Sequence, residues 1–186
     1  QPDDMGLKAG EETVFVDFTT DKGDIRVELW PEIAPAHVNS FVFLAEEGYF
    51  DGLTFHRVED WVVQGGDPTG TGGGGPGYAV PAEFNADDPV PHVYGTFAMA
   101  RTSDPDSGGS QFYFIKDPEG AAHLNGQYTV YGHVVKGMDV VAELAAKDKM
   151  TKVTVTRAPI ADREVSPDDV RAGKLPESPT GETATE

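Results

Sequence analysis

The sequence predicts a mainly β protein, an antiparallel barrel or sandwich, and three observations carry that reading. Short apolar or alternating segments recur at close spacing through the middle of the chain, and only two stretches hold a sustained helical period. Strands and helices do not alternate as they would in β-α units. The 186 residues, 38% hydrophobic and 10% aromatic, are one domain's worth of chain with enough apolar side chain for a core.

The elements follow in order. Val14–Thr19 and Ile25–Trp30 read as a hairpin turned at Lys22-Gly23, with Ile25, Val27 and Leu29 inward and Arg26 and Glu28 outward. From Pro35 to Glu47 the period becomes helical: Val38, Phe41, Val42 and Ala45 share a face, and Gly48 ends the run. Short strands are expected at Thr54–Val58, Trp61–Gln64, Gly95–Ala100, Gln111–Ile115, Val130–Val135 and Val153–Arg157. A second helix fits Met138–Ala146. Ser166 and Pro167 have the cap and first-turn chemistry for one short further helix.

Charge divides the chain into three parts. Residues 1–13 form an acidic extension of net −3 with little to bury. Residues 14–159 form the globular domain, with 21 acids against 10 bases. Residues 160–186 form an acidic tail of net −4, expected to be flexible beyond Leu175. The total of −18 argues against nucleic acid and anionic lipid as partners. No apolar run approaches the ~20 residues of a membrane-spanning helix, so membrane insertion is not expected. Acidity spread over the whole domain is the pattern of a protein adapted to high salt. The absence of cysteine excludes thiol chemistry and Cys-ligated metal but leaves the redox compartment open; a soluble, cytoplasmic monomer is the expectation.

Several familiar chemistries find little support. Residues 65–77 hold eight glycines, yet no helix start or Lys-Ser/Thr pair follows, so a phosphate loop is not expected. His37, His56, His92, His123 and His133 contain no i, i+4 pair, so neither a metal nor a cofactor is expected. Ser110 lacks the second glycine of a nucleophile elbow. More informative is the segment from Phe55 to Asp67. Arg57 and Gln64 lie seven apart, which simple alternation would place on opposite faces, but the polar break Glu59-Asp60 restarts the count. The two can then converge beside Trp61; the alternative is a surface arginine paired with any carboxylate.

These residues resemble the cyclophilin-type peptidyl-prolyl isomerases. The resemblance rests on Phe55-His56-Arg57 leading to Gln64-Gly65-Gly66-Asp67, on Gly95–Ala100, on Gly109–Ile115 and on Leu124–Gly132, in that order. Upstream, Ala34–Phe41 is similar to the family's first helix and Gly48–Gly52 to its exit. The likeness spans about Val14 to Arg157. It implies a closed eight-stranded antiparallel barrel capped by two α-helices, and an enzyme that turns X-Pro bonds in proline-containing peptides and unfolded or flexible segments.

Carried over residue by residue, the resemblance makes Arg57 the catalytic arginine and Gln64 the glutamine that holds it, with His56 beside them. It implies substrate contacts at His56, Trp61, Val62, Gln111, Tyr113, His123, Leu124 and Tyr128, and backbone pairing along Ala100, Arg101 and Thr102. Ala82, Glu83, Arg101 and Gly109 would border the residue before proline. The segment between Arg57 and Gln64 is one residue shorter than the family pattern, and the loop 102–109 is one longer. His123 stands where many members carry tryptophan, which implies weak inhibition by cyclosporin. The reshaped pocket also keeps two alternatives open: a proline-peptide binding module with little turnover, and a holdase acting through the acidic surface.

Overall fold

The computed structural model describes residues 1–84 and 86–175. The expected flexible segment beyond Leu175 lies outside them. The chain runs β1 (Glu12–Thr20), β2 (Gly23–Leu29), α1 (Pro35–Glu46), β3 (Leu53–Thr54), β4 (Arg57–Val58), β5 (Val62–Gly65), β6 (Thr96–Met99), β7 (Phe112–Ile115), α2 (Pro118–Ala121), β8 (Val130–Lys136), α3 (Met138–Glu143), β9 (Lys149–Pro159) and α4 (Pro167–Arg171). All nine strands of the described residues belong to one antiparallel sheet in the order β3-β9-β1-β2-β8-β6-β7-β5-β4.

The mainly β class agrees with the expectation; the closed eight-stranded barrel does not. The segment Thr54–Val58, expected as one strand, splits between the two edges of the sheet. Leu53 and Thr54 pair with Met150 and Lys149 of β9, whereas Arg57 and Val58 pair with Gln64 and Val63 of β5. No ladder joins β3 to β4 among the described residues. The linker Phe55-His56 is too short to let the edges part: Thr54 and Arg57 are three residues apart, so about 11 Å at most separates them. The sheet is therefore curled with its seam spanned by the chain itself. Phe55 does not bond across that seam, because its amide donates to Asp148 O (2.8 Å) and its carbonyl accepts from Lys147 N (2.9 Å). Gly65 explains how close the edges come, since a Cβ there would lie 3.1 Å from the Thr54 carbonyl oxygen and 2.9 Å from the Met150 methyl group.

Alternation sorts the side chains onto two faces. Val14, Val16, Phe18, Ile25, Val27, Leu29, Phe97, Phe112 and Phe114 point inside the curl and pack with Phe41 and Val38 of α1. Trp30, Val62, Ala98, Tyr113, Ile115 and Val130 form a second apolar layer on the outer face, with Leu124, Val165 and Val170 over it. Phe112 thus belongs to the core and Tyr113 to the outer layer. α1 has Pro35 in its first turn but no side-chain cap of its own. Glu83 supplies it from the loop after β5, accepting from the amides of Ala36 (3.1 Å) and His37 (2.7 Å) and pairing with His37 Nδ1 (2.6 Å).

α3 stops three residues short of the expected Ala146. Asp148 accepts from the Ala145 amide at 2.8 Å, and Lys147 takes a left-handed φ of 75°, which turns the chain into β9. α2 and the 3₁₀ turn Ala122–Leu124 were not anticipated, although Asp117-Pro118 is a helix-start signal; Asp117 caps the Glu119 amide at 3.0 Å. The short helix after Ser166 forms as expected, closed by a reciprocal capping box between Ser166 and Asp169.

Both extensions are docked as far as they are described. Met5 and Leu7 pack against the core, and Arg157 donates to the carbonyls of Met5 (2.9 Å) and Gly6 (2.8 Å). The 13 N-terminal residues therefore bury more than their composition suggested. At the other end Glu28, outward-facing as expected, is nonetheless fully buried beneath residues 163–165. It accepts from Thr13 Oγ1 (2.9 Å), the amides of Glu164 (2.6 Å) and Val165 (3.1 Å), and Arg163 Nε (3.3 Å). Trp30 Nε1 donates to the Val165 carbonyl at 2.9 Å. Glu28→Gln keeps the volume but removes the charge that these donors answer, so it should destabilise the fold by about 2 kcal/mol. A lower urea midpoint with unchanged slope is the expected readout.

Candidate active site

The β4–β5 hairpin builds the first part of the site. Its turn closes between Glu59 and Val62 (Glu59 N to Val62 O, 2.9 Å), leaving only Asp60 and Trp61 between them. Arg57 and Gln64 are direct cross-strand partners, and such partners share a face, which is why two residues seven apart converge. Glu59 and Val62, opposite each other across the turn, lie on that same face.

A directed hydrogen-bond relay runs outward from Arg57. Arg57 Nη1 donates to Gln64 Oε1 (3.3 Å), Gln64 Nε2 to Gln111 Oε1 (2.9 Å), and Gln111 Nε2 to the carbonyls of Gly72 and Gly74 (2.9 Å each). The carbonyls can only accept, so they oblige Gln111 to present its amide nitrogen, and this fixes Gln64 in turn. The glycine run therefore serves as the relay's end stop. Asp67 holds it in shape: its carboxylate accepts from the amides of Thr69 (2.7 Å), Thr71 (3.1 Å) and Gly72 (2.6 Å) and from Thr69 Oγ1 (2.8 Å). Burial opposes the charge, but these donors outweigh it and hold the carboxyl down to about 2. Gly74 must lack a side chain, since a Cβ would lie 2.1 Å from Asp67 Oδ1.

Beside Arg57 lies a cavity of about 300 Å³ lined by Arg57, Trp61, Val62, Gln64, Ala100, Arg101, Tyr113, His123, Leu124 and Tyr128. The outer-face layer supplies its apolar floor: Val62 is 1% exposed, Tyr113 4% and Leu124 7%. Tyr113 needs a partner for its hydroxyl, and sequence reasoning did not find it. It is His92, whose Nε2 lies 2.8 Å away. Asn125 Oδ1 accepts from the His92 amide (2.7 Å) and faces Nδ1 (3.0 Å), so Nδ1 carries the proton and the tyrosine hydroxyl donates to Nε2. Burial keeps His92 neutral, its pKa pushed down to about 4. The hydroxyl thus points away from the cavity, which meets only the ring.

The rim carries charge and aromatic edges. The Arg57 guanidinium lies 5.5 Å over the Trp61 ring, and Trp61 meets His123 edge-on at 5.9 Å. Arg101 lies 4.1 Å over Tyr128 and donates to the carbonyls of Gln127 (2.7 and 3.1 Å) and Thr102 (2.9 Å). Ten of the thirteen candidate residues therefore meet in one place. Gln111 reaches the site through Gln64. His56 faces Gly72 under the glycine run, and Thr102 opens the 102–109 loop by bonding Ser107 (2.9 Å). Neither lines the cavity. Glu83, placed at the rim by the resemblance, instead turns its carboxylate to α1, and the acid beside Ala82 is Asp106, which accepts the Ala82 amide at 2.9 Å. Among the described residues no group of three or more His, Asp or Glu is arranged to hold a metal ion.

A curled antiparallel sheet packed on a helix is a fold shared with known proteins. The family model for cyclophilin type peptidyl-prolyl cis-trans isomerases matches residues 15–165. Peptidyl-prolyl cis-trans isomerase B of Bacillus subtilis is 45% identical over 136 residues, covering 73% of this chain and 92% of that protein. A peptidyl-prolyl cis-trans isomerase of Helicobacter pylori is 40% identical over 146 residues, covering 76% and 86%. The crystal structure of a Cryptosporidium parvum cyclophilin superposes with a TM-score of 0.70 at 25% identity, over 77% of this chain and 98% of that one. The same protein, crystallised in the presence of the dipeptide Ala-Pro, gives 0.69 at 26% identity, over 76% and 98%. The chain belongs to the cyclophilin-type peptidyl-prolyl cis-trans isomerases.

Proposed function

We propose that this isomerase grips the proline ring of an X-Pro segment in the cavity and turns the bond by aiming the Arg57 guanidinium at the amide nitrogen. The observation that carries the reading is the juxtaposition of a relay-held guanidinium with a cavity of about 300 Å³ whose floor is apolar. The presence of Ala-Pro in one structural neighbour's crystals supports a proline dipeptide as the minimal ligand.

The chemistry needs little else. The X-Pro bond turns slowly because nitrogen shares its lone pair with the carbonyl, which sets a barrier near ~20 kcal/mol. In the twisted state that pair returns to nitrogen, which becomes an acceptor. A guanidinium there stabilises the twisted state more than either planar state, and that difference is the catalysis. Arginine stays protonated and offers a rigid fork, which Gln64 orients. The floor of Val62, Tyr113 and Leu124 holds the ring while the preceding carbonyl swings, and the edge Ala100–Thr102 pairs with the flanking backbone. Such a site acts on any exposed X-Pro bond, and we assign the protein a role in the proline-limited steps of folding chains.

Exchange spectroscopy on an Ala-Pro-containing peptide tests this: the protein should speed exchange between its cis and trans signals, and an unchanged rate would contradict the reading. The relay adds a second expectation. Asp67→Ala frees the glycine loop that holds Gln111, so kcat should fall about tenfold at temperatures where the variant remains folded. In an Arg57→Ala background the same change should have no further effect on kcat, as residues acting in one chain are not additive.

A further inference from the structure

We propose that Glu59 damps the charge of Arg57, so that the isomerase runs below its full rate at low salt and speeds up as ionic strength rises. The inference rests on the role given above to Arg57. Its basis is the short hairpin. Because Arg57 pairs with Gln64 and the turn closes between Glu59 and Val62, Glu59 falls on the face that carries the guanidinium, opposite a residue of the cavity wall. Its Oε2 lies 3.0 Å from Arg57 Nη2, and the two side chains are 48% and 43% exposed. The Arg57 hydrogen bond in turn holds the Glu59 carboxyl below its usual range.

An anion at that distance does two things to an arginine whose work is electrostatic. It takes up one of the guanidinium's donors, and it cancels part of the potential that would stabilise the lone pair of the twisted amide. Glu59 acts through Arg57 and touches no reacting atom. The other cation of the rim is not damped in this way, since Arg101 is held by the carbonyls of Gln127 and Thr102 and by the Tyr128 ring. Both partners of the Arg57 pair face solvent, so salt weakens it: the screening length falls from about 30 Å at 0.01 M to about 3 Å at 1 M.

The test is an exchange-NMR assay with an uncharged Ala-Pro peptide on wild type, Glu59→Gln, Glu59→Ala and Arg57→Ala between about 0.02 and 1 M NaCl. Wild-type kcat should rise about two- to fivefold with salt, the range of one exposed ion pair. Glu59→Gln keeps an acceptor of the same shape without charge; it should start near the wild-type high-salt value and stay flat, and Glu59→Ala should match it. A Glu59→Gln rate at or below wild type in low salt would overturn the proposal. So would an unchanged Glu59→Gln with a slower Glu59→Ala, which would mark Glu59 as a mere positioning group. Arg57→Ala separates the role of Arg57 from its damping by Glu59. If it is inert while the Glu59 variants fail to accelerate, the isomerase mechanism stands and the damping falls; if it matches wild type, both fall.

Discussion

Arg57→Ala is expected to lower kcat/KM on an X-Pro peptide by two to three orders of magnitude, about 3–4 kcal/mol, the usual cost of removing one electrostatic donor from a developing charge. The loss should sit in kcat. The apolar floor of Val62, Tyr113 and Leu124 is left in place, and on the proposed mechanism it would hold the ring equally in the planar and twisted states. The fold should be untouched, because Arg57 is exposed and its strand contributes two residues at the sheet edge. Arg57→Lys should recover only part of the rate: an ammonium keeps the charge but has no fork for Gln64 and the amide nitrogen to share.

Acid should begin to destabilise the protein at pH values above those at which its carboxylates titrate. His92 and His133 are each 3% exposed, and burial pushes both pKa values down to about 4. In the unfolded chain they would titrate near ~6.5. Between those values the unfolded state binds protons that the native state refuses, so stability is complete above about pH 6.5 and declines as pH falls towards 4. Each histidine contributes about 3 kcal/mol to that decline, a sum comparable with the whole stability of a small domain. Asp67 acts lower still: its carboxyl is depressed to about 2, so its contribution is held above an unfolded value near ~3.9 and lost only as pH drops towards 2. Urea melts at pH 7, 5.5 and 4 should show the midpoint falling steeply across this window. A midpoint that holds to pH 4 would mean that the two imidazoles are not buried neutral.

Much of this architecture was legible in the residues because local patterns and burial agree. Alternation put Ile25, Val27 and Leu29 inside, and the helical period marked α1 to within one residue. What escaped depends on pairings distant in sequence. The run Thr54–Val58 looks like one strand, and only its partners, β9 on one side and β5 on the other, divide it between two edges of the sheet. Glu28 reads as a solvent-facing residue, since nothing local says that residues 163–165 will cover it. Site residues fall along the same line. Arg57 and Gln64 could be paired by a hairpin argument, whereas His92 meets Tyr113 from 21 positions away and carries no signal of its own. Asp67 is an intermediate case: Asp before a glycine-rich turn is a known loop-forming pattern, but that the loop carbonyls end a relay to Arg57 is visible only in the fold.

The central claim is that the Arg57 charge acts on the twisted amide and not on binding. The most direct test is exchange spectroscopy of an Ala-Pro peptide under saturating Arg57→Ala variant. Peptide should still shift the signals of Tyr113 and Leu124 while its cis and trans forms exchange near the uncatalysed rate. Exchange at the wild-type rate in that saturated complex would contradict it.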